Sequence, residues 1–381
     1  MTKRILAFVL CISLIAVFAG VFASCSKSSS KQTIAIVTDA GELYDSGFNQ
    51  GTLEAVIAFA EENGLNYKYY QPESAGDVKD TDRVKALRKA AQDGASIIVA
   101  PGALQENALR IVAREYPNIK FIYIDGAIIK DEYGAILQNV ASVSFREQEA
   151  GFLAGYAVVR SGITQLGGVF GGSGQNRACN RFAYGFVQGA IAAAGQNGVN
   201  IKLSYKYGET FSSSDELKEQ TTKWYKEDAI RVIFACGGDM IGSVKEAAES
   251  SQRGRIIGVD TDQSGLSSRV LTSAIKNVKK VVQLVLADVN SDFWYSKYAG
   301  KENDYGVRED AVSLPTNPEN WRFGESFTIE QYNDLYNNIK IGSFIPEADV
   351  ATDCNDSAWW ATKVEKLNEQ YGANVVVELE R

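Results

Sequence analysis

DGASIIVAPGALQENALRIVAREYPNIKFIYIDG, residues 93–126, contains a full structural unit. SIIVA (96–100) is a short apolar run rich in β-branched residues, bounded by glycine on one side and Pro-Gly on the other. ALQENALRIVAREYP (103–117) spaces its apolar residues three and four apart, and KFIYID (120–125) is apolar again and ends in aspartate. A buried strand, an amphipathic helix and a second buried strand are predicted. The pattern returns in EDAIRVIFACGGDMIGSVKEAAESSQRGRIIGVDT, residues 227–261, again closing on an aspartate after a strand. Two similar α/β halves are expected, each a parallel sheet with helices on both faces.

Further strands are expected at TIAIVT (33–38), YKYYQ (67–71), QLGGVF (165–170) and IKLSYKY (201–207), with DRVKALRKAAQDG (82–94) as another helix. Beyond Lys276 the pattern loosens. DFWYSKYAGKENDYGVRED (292–310) reads as a surface hairpin, followed by two late helices and a last strand, ANVVVELE (373–380). The tryptophans Trp294, Trp321, Trp359 and Trp360 are expected to pack rather than to bind.

The chain of 381 residues carries a net charge of −8, and Lys3 and Arg4 are the only charges in residues 1–24, so the remainder is more acidic still. Such a body does not attract a phosphate backbone, and nucleic acid is not expected as a partner. The absence of histidine removes the commonest general base and every histidine-ligated metal site. Residues 1–24 read as a secretory signal: a basic start, an apolar run over 5–22, and small residues before Cys25. The stretch before that cysteine resembles a lipoprotein cleavage signal, which implies lipid on Cys25. Residues 25–32 are then a tether, and the protein is held at the cell membrane by lipid alone, facing the periplasm or the exterior. Cys179, Cys236 and Cys354 lack metal-type spacing and are expected as buried free thiols.

In open α/β sheets, ligands bind beyond the carboxyl ends of the strands. Asp39, Asp125 and Asp260 each follow such a strand, Gly237 follows RVIFAC, and Lys276 ends LTSAIK. VTDAGELYDSGFNQG (37–51) adds Phe48 and Asn49 to the first strand-to-helix turn, where Asp45 is placed to cap the helix. YGETFSSS (207–214) offers Phe211 after a strand of the second half. Two aromatics on opposing lobes suit a planar ring.

VTDAGELYDSGFNQG, REQEAGFLAGYA (146–157), RFAYGFVQGA (181–190), ACGG (235–238), IGVDTDQ (257–263) and LTSAIK (271–276) occur in the order found in the Bmp family of basic membrane lipoproteins, which the chain resembles. The resemblance implies a type I periplasmic-binding-protein fold, two doubly wound α/β lobes with the ligand cleft at the hinge. It implies residues 33–142 plus about 273–310 in lobe 1, and 143–272 plus about 311–381 in lobe 2. It further implies a monomeric substrate-binding protein that delivers nucleosides, purine nucleosides foremost, to an ABC transporter permease. Phe48 and Phe211 would stack on the base and Asp125 would bond its edge, with Asp39 and Asn49 lining the same part of the cleft. Gly237, Asp260 and Lys276 would hold the ribose. Ser46-Gly47 departs from the Lys-Ser pair that commonly precedes Phe-Asn in the family. No cofactor, metal or catalytic residue is expected. A pentose-binding protein of the same fold is the alternative. A nucleoside-cleaving enzyme fits less well, because TDAGELYD is too poor in aspartate for a calcium site.

Overall fold

In a computed structural model, residues 31–40, 43–45, 47–73 and 78–380 are described. The expected leader, Cys25 and Ser46 lie outside them. The described residues from Thr33 onward form one compact unit.

The first half builds β1 (Thr33–Val37), α1 (Phe48–Glu62), β2 (Asn66–Tyr70), α2 (Asp80–Gln92), β3 (Ile97–Pro101), α3 (Glu106–Glu115), β4 (Lys120–Ile124) and β5 (Val140–Phe145). The chain continues through α4 (Glu147–Arg160), β6 (Gln165–Phe170), α5 (Arg177–Asn197), β7 (Asn200–Tyr207), α6 (Asp215–Lys226), β8 (Val232–Cys236), α7 (Met240–Glu249), β9 (Arg255–Asp260) and β10 (Val270–Lys276). It ends with α8 (Val278–Asp288), β11 (Glu302–Tyr305), β12 (Val312–Ser313), α9 (Ile329–Lys340), α10 (Ser357–Tyr371) and β13 (Asn374–Leu379).

Two sheets result, ordered β2-β1-β3-β4-β5-β11 and β13-β7-β6-β8-β9-β10-β12. Neighbouring strands are parallel except β10 with β12. The strands read as near-continuous apolar runs because both faces are covered. In β1, Ile34 and Ile36 enter one core with Leu53 and Val56, whereas Ala35 and Val37 enter another with Leu87 and Leu109. In the second sheet Val232 and Phe234 face the first of these cores and Ile233 and Ala235 face a third. In both sheets the strand order reverses beside the first strand of the half, the usual place for a ligand crevice.

Three differences from the sequence reading affect the site. β5 stays in the first sheet through Phe145, and β10 stays in the second through Lys276, so the sheets exchange the chain a few residues later than the boundaries at 142 and 272. The segment 292–310 is not a surface hairpin. A single wide helical turn buries Trp294 and Tyr298, and β11 then joins the first sheet as a parallel edge strand. Of the four residues of β11 only Tyr305 enters the core, and the strand otherwise carries charge and amide groups. Glu302 and Asp304, two apart and about 6.6 Å along one strand face, meet Arg177 and Arg181, four apart and about 6 Å along one face of α5. These pairs join the two sheets beside the points where the chain crosses.

Helix α4 packs tightly on α5. A Cβ on Gly155 would lie 2.1 Å from the Phe186 carbonyl oxygen, and one on Gly185 would lie 2.2 Å from that of Gln148. Only glycine admits this approach, and it fixes the start of α4 against the face of α5 that bears Arg181. Trp360 is buried, and Trp321 and Trp359 pack against the main core. The three described cysteines are free and buried.

Candidate functional site

Asp125, directly after β4, and Asp260, the last residue of β9, occupy the same place in the two halves of the repeat. They also share a backbone conformation, with φ of 63° and 65°. Aspartate is among the few residues that enter this left-handed region readily. Each turn leaves its carboxylate at the carboxyl end of its sheet, and one lysine meets both. Lys276 Nζ lies 2.6 Å from Asp125 Oδ2, and 3.7 Å from both Asp260 Oδ1 and Glu147 Oε1. The lysine side chain is 3% exposed. The ring of Phe48, in the first turn of α1, sits with its centroid 4.6 Å from the same ammonium, and Phe145 and Phe182 enclose it further.

Burial alone would lower the lysine's pKa, but Asp125, Asp260 and Glu147 override it and hold the ammonium charged well above its ordinary range. Burial pushes the Glu147 carboxyl up to about 7, against the pull of Lys276, and Asp260 up to about 6 for the same reason. One cation is shared by three carboxylates, so acceptor capacity is left over. Asp125 Oδ1 and Asp260 Oδ1 are buried and receive no hydrogen bond from the described residues. Buried acceptors of this kind are matched to hydroxyl or N–H donors and repel phosphate.

Asp39 lies beyond β1, half-buried, accepting from the Ala40 amide at 2.7 Å while its carbonyl accepts from Arg83 Nε at 3.0 Å. Its carboxyl is raised to about 6, first by burial and further by the charge of Asp125. It fits because residue 102 is glycine: at φ 102°, a Cβ there would fall 1.9 Å from Asp39 Oδ2. Asp45 does cap α1. Its carboxylate accepts from the amides of Gly47, Asn49 and Gln50 at 2.9–3.1 Å. Asn49 is buried in that first turn. In the second half, Phe211 covers the glycine turns that end β6 and β8. A Cβ on Gly171 would lie 2.4 Å from its ring and one on Gly237 3.1 Å.

The structure thus gathers Phe48, Asp125, Asp260 and Lys276 into one contact group, with Asp39 within electrostatic reach of Asp125. It places Phe211 against Gly237 at the same end of the second sheet. Glu147 is the member that the sequence reading passed over. An acidic residue at the first position of a helix ordinarily faces solvent and favours the helix dipole. Here Glu147, Gln148 and Glu149 are all buried. The available signal was the residue that follows them on every face: AGFLAGYAVV leaves α4 no polar side, so its first turn cannot face water. Among the described residues, no group of three or more histidine, cysteine or acidic side chains is placed to hold a metal ion, and no helix is long and apolar enough to cross a membrane.

Residues 31–345 match the Bmp family, described as ABC transporter substrate-binding protein PnrA-like. The ABC transporter nucleoside-binding protein BmpA of Lactococcus lactis subsp. cremoris (strain MG1363) is 30% identical over 319 residues, covering 77% of this chain and 86% of its own. Basic membrane protein A of Borreliella burgdorferi (strain ATCC 35210 / DSM 4680 / CIP 102532 / B31) is 27% identical over 304 residues, 78% and 85% of the two chains. A solute-binding protein of an ABC transporter system from Aeropyrum pernix K1 shares the fold, with a TM-score of 0.69 at 21% identity over 89% of this chain and 98% of that one. The two parallel-dominated sheets are those of a type I periplasmic-binding protein. The chain belongs to the Bmp family of ABC transporter substrate-binding proteins.

Proposed function

We propose that the protein captures nucleosides, purine nucleosides foremost, and hands them to an ABC permease from a lipid anchor on Cys25. The observation that carries this reading is the buried Lys276 shared by Asp125 and Asp260, each of which keeps a buried oxygen with no hydrogen bond from the described residues, with the Phe48 ring against the same ammonium. Sugar hydroxyls donate to carboxylates, an aromatic face takes a base, and three acids around one lysine disfavour a phosphate. The nucleoside-binding relative supports the same ligand class. In this reading Phe48 and Phe211 stack on the base, Asp125 bonds its edge, and Asp39 and Asn49 line that end. Gly237, Asp260 and Lys276 hold the ribose. The two sheets with their helices act as lobes that close as a monomer about the crossing segments.

Thermal shift and calorimetry against nucleosides, free bases, nucleotides, pentoses and hexoses test the reading. A ligand at 100 times its Kd adds about 2.7 kcal/mol to stability. Purine nucleosides are expected to stabilise the protein, and ribose and nucleotides are not. Asp260→Ala is expected to abolish that response while the fold persists. Stabilisation by sugars alone would replace the nucleoside reading with a pentose-binding one.

A further inference from the structure

We infer that Glu147 is a positioning residue for Lys276, taking over the ammonium when ligand donors occupy Asp125 and Asp260, and that it must be ionised to do so. The inference rests on the nucleoside reading of the cluster.

The geometry supplies the argument. Glu147 Oε1 is 3.7 Å from Lys276 Nζ, and its other oxygen is 3.7 Å from Arg181 Nη1. Arg181 is itself tied down, donating to the Phe145 carbonyl at 2.6 Å and to Asp304 at 3.1 Å. The glycine contacts between α4 and α5 fix the backbone under Glu147. Glu147 therefore stands between an anchored guanidinium and a lysine on a flexible arm. An ammonium has three donors, and among the described acidic side chains only Asp125 lies within hydrogen-bond distance of this one. When a ligand donates to Asp125 and Asp260, those acids need Lys276 less. A movement of about 1 Å brings Nζ to charge-assisted hydrogen-bond distance of Glu147.

The charged groups facing Glu147 are Lys276 from β10, Asp125 after β4, and Arg181 and Arg177 from α5. Burial and Asp125 favour its protonated form in the unliganded protein, and the transfer of Lys276 favours the ionised one. Binding in the neutral range therefore releases a proton, and affinity rises with pH. The sequence contains no histidine to confuse that window; burial pushes Asp260 and Asp39 up only to about 6, so they contribute the smaller share at pH 6.5.

The test is calorimetry of the full chain in detergent with inosine, guanosine, adenosine and uridine, at pH 6.5 and 8.0, in buffers of different ionisation enthalpy. For whichever nucleoside binds, the wild type is expected to release a substantial fraction of a proton at pH 6.5 and almost none at pH 8.0. Its Kd should tighten several-fold between them, a slope bounded by tenfold per pH unit for one proton. Glu147→Gln is expected to bind roughly tenfold more weakly at pH 8.0, with proton release at pH 6.5 cut to the minor share left to Asp260 and a flatter pH profile. A variant that keeps the wild-type proton release overturns the inference, since loss of affinity alone is what a merely structural role would give. If the variant does not fold, the wild type decides: nucleoside binding without proton release at pH 6.5 overturns the inference and leaves the nucleoside reading standing. No binding by the wild type at either pH overturns both.

Discussion

Replacing Lys276 by methionine removes a charge and almost no volume, and its consequence is calculable from the cluster. The ammonium now faces carboxylates at 2.6, 3.7 and 3.7 Å. At an effective dielectric of about 20 each longer pair is worth about 4.5 kcal/mol and the shorter one about 6. These gross attractions largely offset the desolvation of four buried charges, so they are not the net loss. Breaking a buried pair by removing one partner destabilises by about 3–5 kcal/mol, and the stranded acids limit the loss by binding protons. Each extra proton recovers about 1.4 kcal/mol per pH unit of acidification. Lys276→Met should therefore be about 3–5 kcal/mol less stable at pH 8. At about 2 °C per kcal/mol for a chain of this size, its Tm should lie roughly 6–10 °C below wild type. By pH 6 about 3 kcal/mol should return. The sign follows from Glu147 and Asp260, whose carboxyls Lys276 pulls down: its removal raises them further, so the stability they confer is present at low pH and lost as pH rises. Differential scanning calorimetry of both proteins at pH 6 and pH 8 checks this. A deficit at pH 6 equal to or larger than that at pH 8 would refute the electrostatic account of the cluster.

The wild type without ligand should itself lose stability between pH 5 and pH 8. Glu147 and Asp260 have folded pKa values raised to about 7 and 6. Their contribution is complete below the unfolded value near 4 and lost as pH rises through the folded values, up to about 3 kcal/mol each. Urea titration across that range measures it, and a flat or rising profile would contradict it. Gly102→Ala should be destabilised by about 2 kcal/mol, from left-handed strain and from the clash that displaces Asp39. Adding Asp39→Gly should recover the part due to the clash, and an unchanged double variant would show that strain alone is at work.

The strands that were legible in the sequence are those buried on both faces, such as IIVAP and VIFAC, where apolar residues run on without a polar partner. β5 escaped notice because VASVSF carries serines at 142 and 144. These donate to the Ala127 carbonyl and to Glu302 and Asp304, and so satisfy themselves inside the sheet. β11, with the sequence ENDY, looks like loop because its side chains answer Arg177 and Arg181, a requirement visible only when residues 125 positions apart meet. The same limit applies to the site. Asp125, Asp260 and Lys276 were marked by position, since a carboxylate or lysine ending an apolar strand is exceptional. Glu147 had no such mark at a strand end; the apolar run after it indicated only burial, and its partners come from the tight crossing of two helices.

The repeat also leaves a record in the two glycines that follow β3 and β8. Gly102 and Gly237 open the same slot in the two halves, and the slot is filled by the acid Asp39 in one and by the ring of Phe211 in the other. A pair of identical walls would accept a small guest in either of two orientations related by the pseudosymmetry. In the proposed cleft, unlike walls on a duplicated frame would remove that ambiguity and give the molecule a sense of which end of its guest is which.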